Sequence, residues 1–184
     1  MPKYRKDRYF YRNGQIRMEN RLAGVQFEGV CRAWHYNGQL AEETRYRHGK
    51  LHGTSRQWNA KGQLLGSFTM DHGTGTMRQW YQDGRLCSES DLLDGKFHGR
   101  IRTWLRDGTL VQEVFCIGNS DATRAAYLKA AKDHPDWPQY KGQSAGRVAR
   151  ETAALECKHY ELYVESLLEK SHAEAGKWLA EATR

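Results

Sequence analysis

The sequence predicts a mainly β protein with a helical C-terminal cap, the larger part being an elongated single-layer antiparallel sheet of β-hairpin repeats. Three observations predict it: a glycine register that recurs five times, period-2 alternation between the glycines, and the loss of both after Phe115.

The register is an aromatic residue, a short polar stretch, Gly, then an aliphatic. It reads FYRNGQI at 10–16, WHYNGQL at 34–40, WNAKGQL at 58–64, WYQDGRL at 80–86 and WLRDGTL at 104–110. Gly14, Gly38, Gly62, Gly84 and Gly108 are spaced 24, 24, 22 and 24 residues apart. Asn-Gly and Asp-Gly pairs at four of the five suit the positive φ angles of tight hairpin turns. A second punctuation lies between the copies: HGKLHG at 48–53, HGTG at 72–75 and DGKFHG at 94–99, with VQFEG at 25–29 a weaker form. HGTG is two residues shorter than its neighbours, which accounts for the 22-residue spacing.

Between these marks the chain alternates, as in Trp34, Tyr36, Leu40, Glu42, Thr44 and Tyr46, the pattern of half-buried strands. Two strands per repeat advance a sheet by roughly 10 Å. Trp34, Trp58, Trp80 and Trp104 are expected to be buried ladder residues, each stacking on the next repeat, because large aromatics supply the depth a single sheet lacks.

The array is assigned to residues 1–118 and a helical segment to 119–184. Asn119 or Ser120 is expected to cap a helix of about three turns with Tyr127, Leu128 and Ala131 toward the sheet, stopped at His134-Pro135. Trp137 and Tyr140 are expected to anchor the connector that follows. A longer helix over about 145–170 and a short one after Ser171 complete the cap, covering the last strand edge.

The formal charge is +7, and all of the excess is in the repeats: residues 1–115 hold 19 Lys or Arg against 12 Asp or Glu, whereas 116–184 hold 10 against 10. The basic start lacks an apolar signal region, and four Cys without metal-ligand spacing suit free thiols, so a cytoplasmic protein is expected. Lys3, Arg5, Arg8, Arg12 and Arg17, with Tyr9 and Tyr11 interleaved, form a candidate partner-binding strip that Arg32, Arg45 and Arg47 extend. Nucleic acid, an anionic lipid surface or an acidic protein would each be attracted to it. Self-association through a strand edge stays open.

No catalytic motif is present, so no catalytic residue, cofactor or metal is assigned. His52, His72 and His98 recur beside Gly, but residues one repeat apart form a row spaced by about 10 Å, too wide for one ion; turn packing and polar capping are the expected role. Glu42, Glu43, Glu89 and Asp91 read as solvated strand or turn residues.

The units WHYNGQLAEETRYRHGKLHG and WYQDGRLCSESDLLDGKFHG resemble the MORN-repeat variant, the hairpin repeat of bacterial proteins of the YwqK-type toxin–antitoxin antitoxin class. The resemblance covers about residues 10–118 and implies structural roles for the aromatics at 34, 58, 80 and 104, the turn glycines and the His-Gly pairs at 52–53 and 98–99. It also implies a non-enzymatic protein-binding module or scaffold, an antitoxin or immunity-like inhibitor whose partner is an acidic toxin. Nucleic-acid or anionic-membrane binding through the basic end is the alternative.

Overall fold

The computed structural model describes residues 3–141. The expected helices over 145–170 and after Ser171 lie outside the described residues, as does Cys157.

The strands are β1 (Tyr4–Phe10), β2 (Ile16–Ala23), β3 (Gln26–Phe27), β4 (Gly29–Trp34), β5 (Leu40–Arg47), β6 (Lys50–Leu51), β7 (Gly53–Trp58), β8 (Leu64–Met70), β9 (Gly75–Trp80), β10 (Leu86–Leu93), β11 (Lys96–Trp104), β12 (Leu110–Ile117) and β13 (Ser120–Ala122). Helix α1 (Arg124–Ala130) follows. Every pairing is between antiparallel neighbours, but the expected single sheet is two. One runs β1-β2-β4-β5-β7-β8, with β3 on β2 and β6 on β5; the other runs β13-β12-β11-β10-β9.

The break falls at the shortened punctuation. In the first two repeats the two-residue strands β3 and β6 complete the second turn and lead into β4 and β7. Asp71–Thr74 keeps a single bridge in their place. Strands β8 and β9 are instead joined by side chains: Phe68 and Met70 form a buried cluster with Leu92, against which Leu51, Met77 and Trp80 pack. The Trp80 ring lies where a Cβ on Gly66 would be, 2.3 Å from it.

The two turn classes divide the glycine chemistry differently from the expectation. In the first class only the Gly is left-handed, and the preceding Asn or Asp uses its side chain: Asn13, Asn37, Asp83 and Asp107 each accept the backbone N–H two residues on, at 2.8–3.1 Å. A register shift beside each turn marks the bulge of this longer loop. Two consecutive left-handed residues occur in the second class, at His48-Gly49, His72-Gly73 and Asp94-Gly95. These are the tight hairpin turns.

Helix α1 is capped by Thr123, whose hydroxyl accepts the Ala126 N–H at 3.1 Å. Asn119 and Ser120 cannot serve, because Ser120–Ala122 pairs with β12. Tyr127 and Ala131 are buried with Phe115, and Leu128, Trp137 and Tyr140 pack around them, as expected from the sequence. The helix and the connector through Tyr140 pack on Phe115 and Ile117 of β12. Among the described residues no helix is long and apolar enough to cross a membrane.

Candidate partner-binding face

Two series of bonds tie each repeat to the next. In the first, the residue after the aromatic register position donates to the carbonyl of the following repeat's Trp. Tyr11 Oη reaches Trp34 O at 2.7 Å, His35 Nε2 reaches Trp58 O at 2.8 Å and Tyr81 Oη reaches Trp104 O at 2.8 Å. Asn59 occupies the matching place in the third copy and turns back onto its own loop, accepting from Lys61 and Gln63. The tryptophans themselves are half-buried, less enclosed than the ladder expectation required.

In the second series a side chain accepts the N–H of the next tight turn. Glu28 Oε2 takes His48 N at 2.7 Å, His52 Nδ1 takes His72 N at 3.2 Å, Thr74 Oγ1 takes Asp94 N at 3.0 Å and His98 Nδ1 takes Gly118 N at 3.2 Å. Of the recurrent histidines, His52 and His98 are therefore turn caps, and His72 is a turn residue that one of them caps. Their expected 10 Å spacing does not hold for the first pair: the His52 and His72 rings are 4.3 Å apart. His72 is the counterpart of His48, not of His52, so one repeat's turn residue meets the previous repeat's cap.

Asp71 completes a small group here. Its Oδ1 lies 2.7 Å from His72 Nδ1 and 3.3 Å from His52 Nδ1, and the three ligand-type atoms fall within 4.8 Å of one another. Two imidazoles and a carboxylate are a donor set suited to a borderline divalent ion. Because His52 Nδ1 already accepts the His72 N–H, an ion taken through that atom would break an inter-repeat bond.

The strand faces carry a third pattern, of charge. Arg8, Glu19, Arg32, Glu43, Arg56 and Ser67 are successive register partners across β1, β2, β4, β5, β7 and β8. Arg78, Glu89, Arg102 and Glu113 continue the row across β9 to β12. The acids are held by their neighbours: Glu19 by Lys6 at 2.9 Å and Arg8 at 2.8 Å, Glu43 by Arg32 at 2.9 Å, and Glu89 by Arg78 at 3.1 Å and by Arg102. Hydrogen bonds from Lys6 and Arg8 keep the Glu19 carboxyl below the usual range. Burial pushes Glu89 upward, but Arg102 and Arg78 outweigh it and the net direction is down. The glutamates are largely covered while the arginine side chains keep about 26–54% of their surface in solvent. Each arginine is thus fixed from within and presented outward.

The basic strip expected from sequence is divided among these features. Arg8, Arg32 and Arg45 sit around ladder glutamates, Arg45 more loosely at 4.0 Å from Glu43. Arg5 bonds Asp7 at 3.0 Å, and Tyr9 faces Met18 in register. Tyr11 is committed to Trp34 and stacks edge-on to Tyr36, with the Arg17 guanidinium 6.0 Å from its ring. Lys3 and Arg12 are exposed, and Arg47 is exposed beside the tight turn, paired with Lys50. Glu43, Glu89 and Asp91 are largely covered rather than solvated as expected, and the sequence reading did not see the ladder that the glutamates form. Their signal was present: Glu19, Glu43, Glu89 and Glu113 keep the glycine spacing once Ser67 is placed between the second and third.

The described architecture is thus that of a β-hairpin repeat protein with a helical cap and no evident catalytic constellation among the described residues. The family model of the MORN repeat variant matches residues 27–48, which span the end of one repeat, the second aromatic register and its tight turn. No curated protein matches the chain well enough to count as a relative.

Proposed function

We propose that the chain is a non-enzymatic protein-binding module whose contact surface is the arginine-presenting face of the ladder. The observation that supports it is the division of labour between residues. The recurrent Tyr and His positions are occupied in joining repeats and the Asn and Gly positions in making turns, whereas the ladder arginines are partly in solvent with their geometry fixed by largely covered glutamates. Arginine is favoured at the energetic centres of protein interfaces, and side chains already held in place lose less freedom on binding.

The finer reading, an antitoxin or immunity-like inhibitor of an acidic toxin acting in the cytoplasm, rests on the resemblance of the repeats to the MORN-repeat variant of YwqK-type proteins. Capture of a stoichiometric protein from the native cell with the full chain, followed by loss of capture in Arg32→Glu with Arg102→Glu, is the expected result. Repeated recovery of no protein partner would count decisively against the module.

The alternative, nucleic-acid or anionic-membrane binding at the basic end, is disfavoured by the pairing of Arg5, Lys6 and Arg8 with Asp7 and Glu19. Binding of duplex DNA or anionic vesicles that weakens steeply with salt, with no protein recovered, would reverse the preference.

A further inference from the structure

The ladder has one rung without its acid. Ser67 stands where Glu19, Glu43, Glu89 and Glu113 stand in the other repeats, and it is exposed. Arg56 is its direct register partner on β7. On its other side β9 runs alongside β8: Trp80 meets Gly66, and a Cβ on Gly75 would lie 3.0 Å from the Thr69 carbonyl oxygen. Those two contacts set the Gly75–Trp80 stretch, with Arg78 within it, alongside the Gly66–Thr69 stretch that holds Ser67. Two arginines therefore flank an uncharged, open position at the seam between the sheets. Each has its acid on the far side only, Arg56 with Glu43 at 3.7 Å and Arg78 with Glu89 at 3.1 Å.

We propose that this rung is a socket for a carboxylate side chain of the partner protein, a glutamate or aspartate that completes the ladder from outside. The proposal deepens the protein-binding reading above and rests on it. The complementarity is specific in two respects. A carboxylate is the group the protein itself places between arginines at the equivalent rungs, and a guanidinium presents paired N–H donors matched to its two oxygens. The seam also lacks the ladder hydrogen bonds that close other strand junctions, so an incoming side chain does not compete with an existing cross-strand acid.

The test supplies the missing acid from within. In the full chain, Ser67→Glu is expected to raise the melting temperature by about 2 °C relative to Thr69→Glu, an exposed position two residues along the same strand that controls for net charge. A polyglutamate peptide is expected to shift the Nε–Hε resonances of Arg56 and Arg78 in the wild type more than that of Arg106, and to bind Ser67→Glu at least tenfold more weakly. Equal melting of the two glutamate variants, or peptide binding unchanged by Ser67→Glu, overturns the socket. So do arginine shifts produced by inorganic phosphate or duplex DNA but not by polyglutamate. The two readings fail separately. A partner captured equally by wild type and Ser67→Glu leaves the protein-binding module standing and removes the socket; no partner for either removes the module, while the melting and peptide results still decide the socket.

Discussion

The hydroxyl of Tyr140 donates to the Asp91 carboxylate across 49 residues of sequence, and the same oxygen accepts the Arg100 N–H at 2.8 Å. Asp91 is only 8% exposed, and its other oxygen takes the Thr76 hydroxyl at 2.7 Å. This bond fastens the connector after the helix to the second sheet, and burial together with the Asp91 charge pushes the phenol well above its ordinary pKa. Removing the hydroxyl leaves a buried carboxylate short of a donor, so Tyr140→Phe should lower unfolding stability by about 1–3 kcal/mol. Equilibrium urea denaturation measures it, and an unchanged midpoint would refute the fastening role.

Gly99 lies under this bond. Its φ of +117° is a region side chains avoid, and an added Cβ would stand 2.4 Å from the Tyr140 hydroxyl oxygen and 2.9 Å from Asp91 Cβ. Gly99→Ala should therefore cost at least about 2 kcal/mol from backbone strain and collision together. Gly84→Ala, with positive φ but open space, isolates the strain alone and should cost less. Equal losses in urea melts of the two variants would show that the hydroxyl gives way freely.

Much of the fold is legible in the sequence because it is periodic. The five turn glycines, the strand alternation and the buried Tyr127 and Ala131 all follow from spacing. Ladder and seam are harder to read for one physical reason: strand pairing decides which residues face one another, and pairing is not local. Arg32 and Glu43 are eleven residues apart yet adjacent in space, so a strip of arginines read along the chain looks unpaired. Similarly, the two-residue deletion at 72–75 is visible in sequence, but its consequence depends on Trp80 filling the space above Gly66. The His52–His72 contact was hidden because both histidines precede glycine, although one is a left-handed turn residue and the other its cap.

At the seam, a methyl group on residue 66 would stand 2.3 Å from the Trp80 ring, closer than any real contact. Gly66→Ala must push the indole off the Phe68, Met70 and Leu92 cluster, which is what joins the two sheets in place of strand hydrogen bonds. A loss of about 2–4 kcal/mol is expected, in the range of core overpacking and lost burial. Trp fluorescence should shift to the red in the folded variant, and a native-like spectrum and melt would contradict the account.

His98 gives a pH signature near neutrality. It is 6% exposed, its Nδ1 accepts the Gly118 N–H, and its ring stands 4.1 Å from that of Trp137. Burial lowers its pKa below 6.5, against an upward pull from Asp136 and with a smaller downward push from His134. The neutral ring is thus favoured in the folded state, and the unfolded chain binds the extra proton first. Stability contributed by this group is complete above about pH 6.5 and falls as pH drops from there toward the lowered folded value. His98→Gln should flatten the slope of unfolding free energy over that interval; a slope as steep as the wild type's would place its origin elsewhere.

The ladder carboxylates act in a lower window, and there it is the charged form that the fold favours. Glu19 and Glu89 are held below their ordinary value of 4.5, so their ion pairs contribute fully above that pH and are lost as pH falls through the depressed folded values. The partnering arginines and lysine are partly solvated, which limits each pair to about 0.2–1 kcal/mol. Glu19→Gln with Glu89→Gln should therefore lose modest stability at pH 7 and progressively less as the pH is lowered toward 3, as the wild type forfeits the same pairs. The difference separates ladder electrostatics from packing, because a packing defect would persist at both pH values. Denaturant midpoints of wild type and double variant that stay equally far apart at pH 7 and pH 3 would assign these glutamates a steric role instead.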